Sequence, residues 1–164
     1  MSLPEVMTYD KHMSSSPTPH VPAKACRPAP LASDLRIALT RSVRRLRLER
    51  SSDQITDGQY SVLAALANRG PMTPSALAED QHVAAPPMTR TVTALADAGL
   101  VRRDADPSDG RQVLVSITEA GLVEVKETRR RRNEWLSSRL AELTPEEREV
   151  LAQAAVLLDR VVVR

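Results

Sequence analysis

From Leu31 onward the apolar residues return at helical spacing. Leu35, Leu39, Val43 and Leu46 lie three or four apart with Arg41, Arg44, Arg45 and Arg47 around them, which predicts one amphipathic helix. A second helix is predicted to start at Thr56, with Gln59 three residues on completing a capping box. It carries Val62, Leu63, Leu66 and Ala67 and stops at Gly70-Pro71. Thr73-Pro74 reads as an N-cap with proline at the first helical position, opening a short helix through Leu77 and Ala78 to about Asp80. A fourth helix is expected from near Pro86 to Ala98-Gly99, with Met88, Val92 and Leu95 inward.

The period then changes from helical to alternating. Leu100 to Arg103 and Gln112 to Ile117 read as the arms of a hairpin around the turn-rich stretch ADPSDGR, in which Asp109-Gly110 is followed by Arg111. Thr118 is expected to cap a long helix, roughly Glu119 to Leu140. Thr144-Pro145-Glu146-Glu147 forms another capping box, and the helix it opens carries Val150, Leu151, Ala154, Leu157, Leu158 and Val161 along one side. Residues 1–30 hold half of the twelve prolines, a Ser14-Ser15-Ser16 run and no periodicity, so a disordered tail is the expectation there. The fold class that results is mainly α with a small β-hairpin.

Short helix, turn, longer helix, hairpin is the order of a helix-turn-helix with a wing. Such a pair sets its second helix in the major groove of DNA, where base edges present a readable donor and acceptor pattern. With Met88, Val92 and Leu95 inward, the outward face carries Thr89, Arg90 and Thr93. Arginine can grip guanine bidentately and threonine can touch bases through its hydroxyl or methyl. Taken alone, such a face is equally a solvated surface. The hairpin shifts the balance: Arg111 at the wing tip is placed to enter the narrow minor groove, where negative potential is strongest. Asp109 would then orient its guanidinium, and Arg102 and Arg103 on the first arm would add phosphate contacts. The alternative for the tip is an exposed ion pair worth roughly 0–1 kcal/mol.

The run from Pro71 to Gly121, with "TRTVTALADAGLVRR", the Asp-x-Arg of Asp109-Gly110-Arg111 and "SITEAG", resembles the DNA-binding half of the MarR family of bacterial regulators. The flanking helical segments extend the resemblance over residues 31–163. It implies a winged-helix lobe at about 56–118 and dimerisation through the N- and C-terminal helices, about 31–50 and 119–163. It also implies a homodimer on a pseudo-palindromic double-stranded DNA operator. The expected activity is a repressor relieved by a small ligand; the sequence names neither the effector nor its pocket. The apolar stripes of the terminal helices independently call for a partner, by twofold pairing or by folding back on their own lobe. One departure from the family pattern is Ala85 ahead of Pro86-Pro87. Proline has no N–H to donate, so phosphate binding at this helix start should be weaker than in relatives that begin with a hydroxyl residue.

The bulk numbers set few limits. The 164 residues suit one domain with a tail, the net charge is +2 and the sequence pI about 9.0, a mild basic bias compatible with nucleic acid. Aromatic residues are 2%, so the core must be aliphatic. Cys26 cannot form an internal disulfide, and it reads as an idle tail thiol. His12, His20 and His82 are scattered without ligand spacing, so no metal and no cofactor are expected. Arg129 to Arg132 reads as a solvated helix face, and Tyr60 and Trp135 as core or interface residues. No nucleophile elbow, phosphate loop or metal motif appears, so an enzyme is not expected. No apolar run reaches membrane-span length and no signal-peptide core follows the start, so the chain reads as reduced, soluble and cytoplasmic, with no membrane partner. A helical interaction module without DNA is the rival reading, but it leaves Arg111 and the wing unexplained.

Overall fold

The structure, a computed structural model, describes residues 21–50, 55–105 and 112–162. Its elements in chain order are α1 (Pro28–Leu46), α2 (Asp57–Arg69), α3 (Pro74–Asp80), α4 (Ala85–Asp97), β1 (Val101–Ala105), β2 (Val113–Ile117), α5 (Glu119–Ala141) and α6 (Pro145–Val162). Helix α1 begins at Pro28, ahead of the expected start and inside the stretch read as tail. Pro28 and Pro30 fall in its first turn, where backbone N–H groups have no intrahelical acceptor, so their missing donors cost nothing there.

Four helix starts follow from threonine side chains. The Thr56 hydroxyl accepts from the Gln59 N–H at 3.3 Å while the Gln59 side chain accepts from the Thr56 N–H at 2.8 Å, the reciprocal pair expected. Thr73 Oγ1 accepts from the Ala76 N–H at 3.2 Å, and Thr144 and Glu147 complete a second box. Thr118 works in two directions: its hydroxyl donates to the Gly99 carbonyl at 2.8 Å and accepts from the Gly121 N–H at 3.1 Å. It ties the end of α4 to the start of α5.

Helix α4 ends in a Schellman motif. Gly99 takes a φ of 71°, the Leu100 N–H returns to the Leu95 carbonyl at 2.9 Å and the Gly99 N–H to the Ala96 carbonyl at 2.9 Å. Leu100 therefore belongs to the helix cap, and the first arm runs Val101–Ala105 rather than from Leu100. The arms pair antiparallel with Val101 opposite Ile117 and Ala105 opposite Val113. A rung absent from the sequence reading joins Met72 to Val115: the Met72 N–H donates to the Val115 carbonyl at 3.1 Å and receives back at 2.9 Å. The segment between α2 and α3 thus flanks β2 on the side away from β1.

By contacts the chain divides into two compact units. One is Thr40–Leu136; the other joins the described residues up to Leu39 with those from Ser137 onward. The division runs inside α1 and α5 rather than at their ends. The Thr40–Leu136 unit holds the buried core: Val62, Leu63 and Leu66 of α2, Leu77 of α3, Met88, Val92 and Leu95 of α4, Val101 and Val115 of the hairpin, and Val125 of α5. Among the described residues it contains no buried aromatic ring; Tyr60 packs at its edge. In the other unit no described side chain of α6 is buried: Val150, Leu151, Val156, Leu157 and Val161 are exposed, as are Leu31, Leu35, Ile37 and Leu39 of α1. Among the described residues no helix is long and apolar enough to cross a membrane.

Candidate nucleic-acid interface

The α3–α4 pair is set by one tight turn. Gln81 ends α3, His82 takes a φ of 52°, and the Val83 N–H donates to the Ala78 carbonyl at 3.0 Å. Histidine is among the few side chains that enter this left-handed region with any frequency. Asp80, on α3, pairs with Arg69 of α2 and also accepts from the Gln81 side chain at 2.6 Å, which fixes the first helix of the pair against the lobe. The Arg69 contact was not foreseen from the sequence, because the two residues are eleven apart and no local spacing marks them.

Helix α4 presents the expected faces. Met88, Val92 and Leu95 are buried; Thr89, Arg90 and Thr93 are exposed on the other side. Among the described residues Arg90 has no ion-pair partner, so its guanidinium is available to an external acceptor. The Thr89 hydroxyl donates to the Ala85 carbonyl at 3.1 Å. Its proton is committed to the helix, and what remains for a base is the acceptor oxygen and the methyl group.

The head of α4 differs from those of α2 and α3. Its N-cap is Ala84, with no side-chain hydrogen bond, and the first three helical positions are Ala85, Pro86 and Pro87. Two of the backbone donors a helix start ordinarily offers to an anion are therefore missing.

On the wing, Arg102 Nε lies 2.8 Å from Asp104 Oδ2, both exposed. The period of two sends Arg102 and Arg103 to opposite faces of the ribbon. Arg102 is thus paired with a carboxylate on its own strand, and Arg103 points to the other face. Asp109 and Arg111 lie outside the described residues. An open depression of about 490 Å³ is lined by Ser75, Ala78, Glu79, His82, Val83 and Ala85 at the α3–α4 turn. Among the described residues no three His, Cys, Asp or Glu side chains are grouped to hold a metal ion.

The arginine run of α5 is exposed at Arg129, Arg130 and Arg131, as expected of a solvated face, and partly buried at Arg132; each of the four also holds a partner, which the sequence reading did not anticipate. Arg129 Nη2 donates to Asn68 Oδ1 of α2 at 2.8 Å. Arg130 and Arg131 share Glu127, and their hydrogen bonds hold its carboxyl down to about 2. Arg131 Nη1 donates to the Arg50 carbonyl at 3.2 Å, and Arg132 Nε to the Glu49 carbonyl at 3.4 Å. The Arg132 guanidinium also lies 4.3 Å from the centre of the Tyr60 ring and 3.6 Å from Asp57 Oδ1. Consecutive residues on a helix point about 100° apart, and here α2, the segment after α1 and an acidic residue of α5 itself occupy those directions. Only the pairings with Glu127 and that of Arg130 with Glu134, at spacings of three and four, could have been found from sequence.

Comparison with known proteins agrees with this geometry. Residues 55–113 match the MarR family. An HTH-type transcriptional regulator of Mycobacterium tuberculosis (strain CDC 1551 / Oshkosh) is 50% identical over 130 residues, covering 79% of this chain and 91% of the relative. The apo crystal structure of wild-type MarR from E. coli is 28% identical with a TM-score of 0.68, over 81% of this chain and 97% of that one. A MarR family protein from Bacillus stearothermophilus, 24% identical, superimposes with a TM-score of 0.73 over 83% of this chain and 95% of that one.

Proposed function

The chain belongs to the MarR family of DNA-binding transcriptional regulators, which are not enzymes, and from that premise we propose that it acts as a homodimeric repressor on a pseudo-palindromic operator. The observation that carries this reading is the two-sided character of α4: three apolar residues locked in the core and Thr89, Arg90 and Thr93 exposed opposite them. In the proposed complex these three meet base edges in the major groove, Arg111 enters the minor groove under the guidance of Asp109, and the arginines of β1 add sequence-independent attraction. Occlusion of a promoter is the simplest mode of action for such a protein.

The dimer is supported by the exposed apolar residues of α1 and α6. A second copy related by a twofold axis would bury both stripes at once and set two recognition helices about one helical turn of DNA apart. Relief by a small ligand requires that the ligand bind one spacing of those helices better than another. The reading is tested by gel-shift titration on the DNA upstream of the protein's own gene, repeated across salt concentrations. Binding that prefers this sequence over random duplex, and weakens with salt, is expected. Equal binding to both at moderate salt would overturn it.

A further inference from the structure

We propose that Arg132 is a positioning residue for operator reading: it fixes the direction in which α5 leaves the DNA-binding lobe, and through it the separation of the two recognition helices. The inference rests on the dimeric DNA-binding reading above and concerns a residue that touches no DNA.

Arg132 is the only one of the four arginines whose side chain is largely covered, at 20% exposure, against 45% and 55% for Arg131 and Arg130 in their ion pairs. Its single planar group meets three different things. The Nε reaches the Glu49 carbonyl in the segment after α1, Nη2 faces Asp57 at the first position of α2, and the plane lies over the Tyr60 ring one turn further along α2. Asp57 Oδ1 is buried and accepts no hydrogen bond, so Arg132 at 3.6 Å is what compensates its charge. The other oxygen of that carboxylate faces Arg47 Nε at 3.9 Å. The end of α1, the start of α2 and the middle of α5 are thus referenced to one guanidinium and one carboxylate.

Position and chemistry both bear on orientation. A guanidinium can hydrogen-bond at its edge and stack on its face at once, which a lysine ammonium cannot. Arg131, one residue earlier, grips the adjacent Arg50 carbonyl, so two consecutive backbone carbonyls are held from the same helix. Beyond this contact α5 continues through Leu136 into the second unit. A change in the direction of α5 against α2 and the segment after α1 would have to break these Arg132 contacts. Pre-setting one orientation is worth affinity only when two half-sites must be met together.

The test uses the full-length protein and a duplex selected by it from a random-sequence library. Binding is measured to the selected duplex, to versions with one or two base pairs inserted between the half-sites, and to a version with one half-site scrambled. For the wild type, insertion of one base pair should cost about tenfold or more in affinity. Arg132→Ala should bind the intact duplex about tenfold more weakly, bind the single half-site within about twofold of wild type, and tolerate the insertion. Arg132→Lys should recover little, because it restores charge without the plane, and Asp57→Asn should reproduce the loss of spacing preference in a protein with one charge removed. Equal losses on one and two half-sites, or an unchanged spacing preference in both Arg132→Ala and Asp57→Asn, would overturn the proposal. Failure of the wild type to select any sequence would instead sink the DNA-binding reading itself.

Discussion

The Cα of Gly121 faces the Leu100 carbonyl oxygen with no room between them for a methyl group, and the Ile117 side chain closes the same space. The first turn of α5 can lie against the foot of the hairpin only because this position has no side chain. Helix propensity alone would favour alanine here by about 1 kcal/mol. The obstacle is backbone and cannot swing aside, so Gly121→Ala should give a net loss of about 1–3 kcal/mol. Urea unfolding of the variant measures it; a gain in stability would mean that α5 can slide away from Leu100.

Helix starts in this protein should respond unequally to the same chemistry. Thr73→Ala removes the acceptor for the Ala76 N–H and should cost about 1 kcal/mol. The reverse change at the head of the recognition helix, Ala84→Ser, should gain less than about 0.5 kcal/mol, although serine is a favoured N-cap. A capping hydroxyl accepts from the second or third helical N–H, and those positions are Pro86 and Pro87. Thermal melts of the two variants beside wild type decide this; a large gain in Ala84→Ser would show that the helix begins elsewhere.

On DNA, Arg90→Ala should alter sequence preference as well as affinity, by roughly 1–3 kcal/mol if its guanidinium reads a base. Arg111→Ala should weaken binding, lower the salt slope by about one, and leave the melting temperature nearly unchanged. Competition experiments with variant duplexes separate the two patterns. Loss of affinity in Arg90→Ala that is uniform across sequences would reassign it to the phosphate backbone.

Leu157 on α6 is 56% exposed in the single chain. If a second copy covers it, Leu157→Glu should shift the protein to monomer in light scattering and abolish high-affinity operator binding. A dimer that survives this change would move the interface off α6.

What was legible in the sequence was whatever short-range spacing encodes. Thr56 with Gln59 and Thr144 with Glu147 marked two helix starts because the capping partners are three residues apart. Met88, Val92 and Leu95 marked the inner face of α4, and with it Thr89, Arg90 and Thr93 on the outer one. The contacts of Arg132 were not legible, because Glu49 is 83 residues away and nothing local distinguishes an arginine packed on tyrosine from one in solvent. Four consecutive arginines read as surface by composition, since desolvating charge is costly unless each is matched. Here the matches come from Glu127 and Glu134 on the same helix and, from distant parts of the chain, two backbone carbonyls, Asn68 and Asp57. Leu100 was misplaced in the hairpin for a related reason: its N–H returns to Leu95, and an alternating pattern does not reveal which residue the helix cap has already claimed.

The rung between Met72 and Val115 also gives the wing an internal clock. Because the Val115 amide bonds to Met72, its opposite residue across the hairpin, Arg103, turns its own amide to the free edge of β1. In amide hydrogen exchange the Arg103 proton should leave in the time of local fluctuation. The Val115 proton should wait until the connection between α2 and α3 lets go, near the slow limit set by the lobe as a whole. Two residues facing each other on one ribbon would thus report the fastest and the slowest openings of the same element, and any partner that grips the wing can be seen by which of the two it retards.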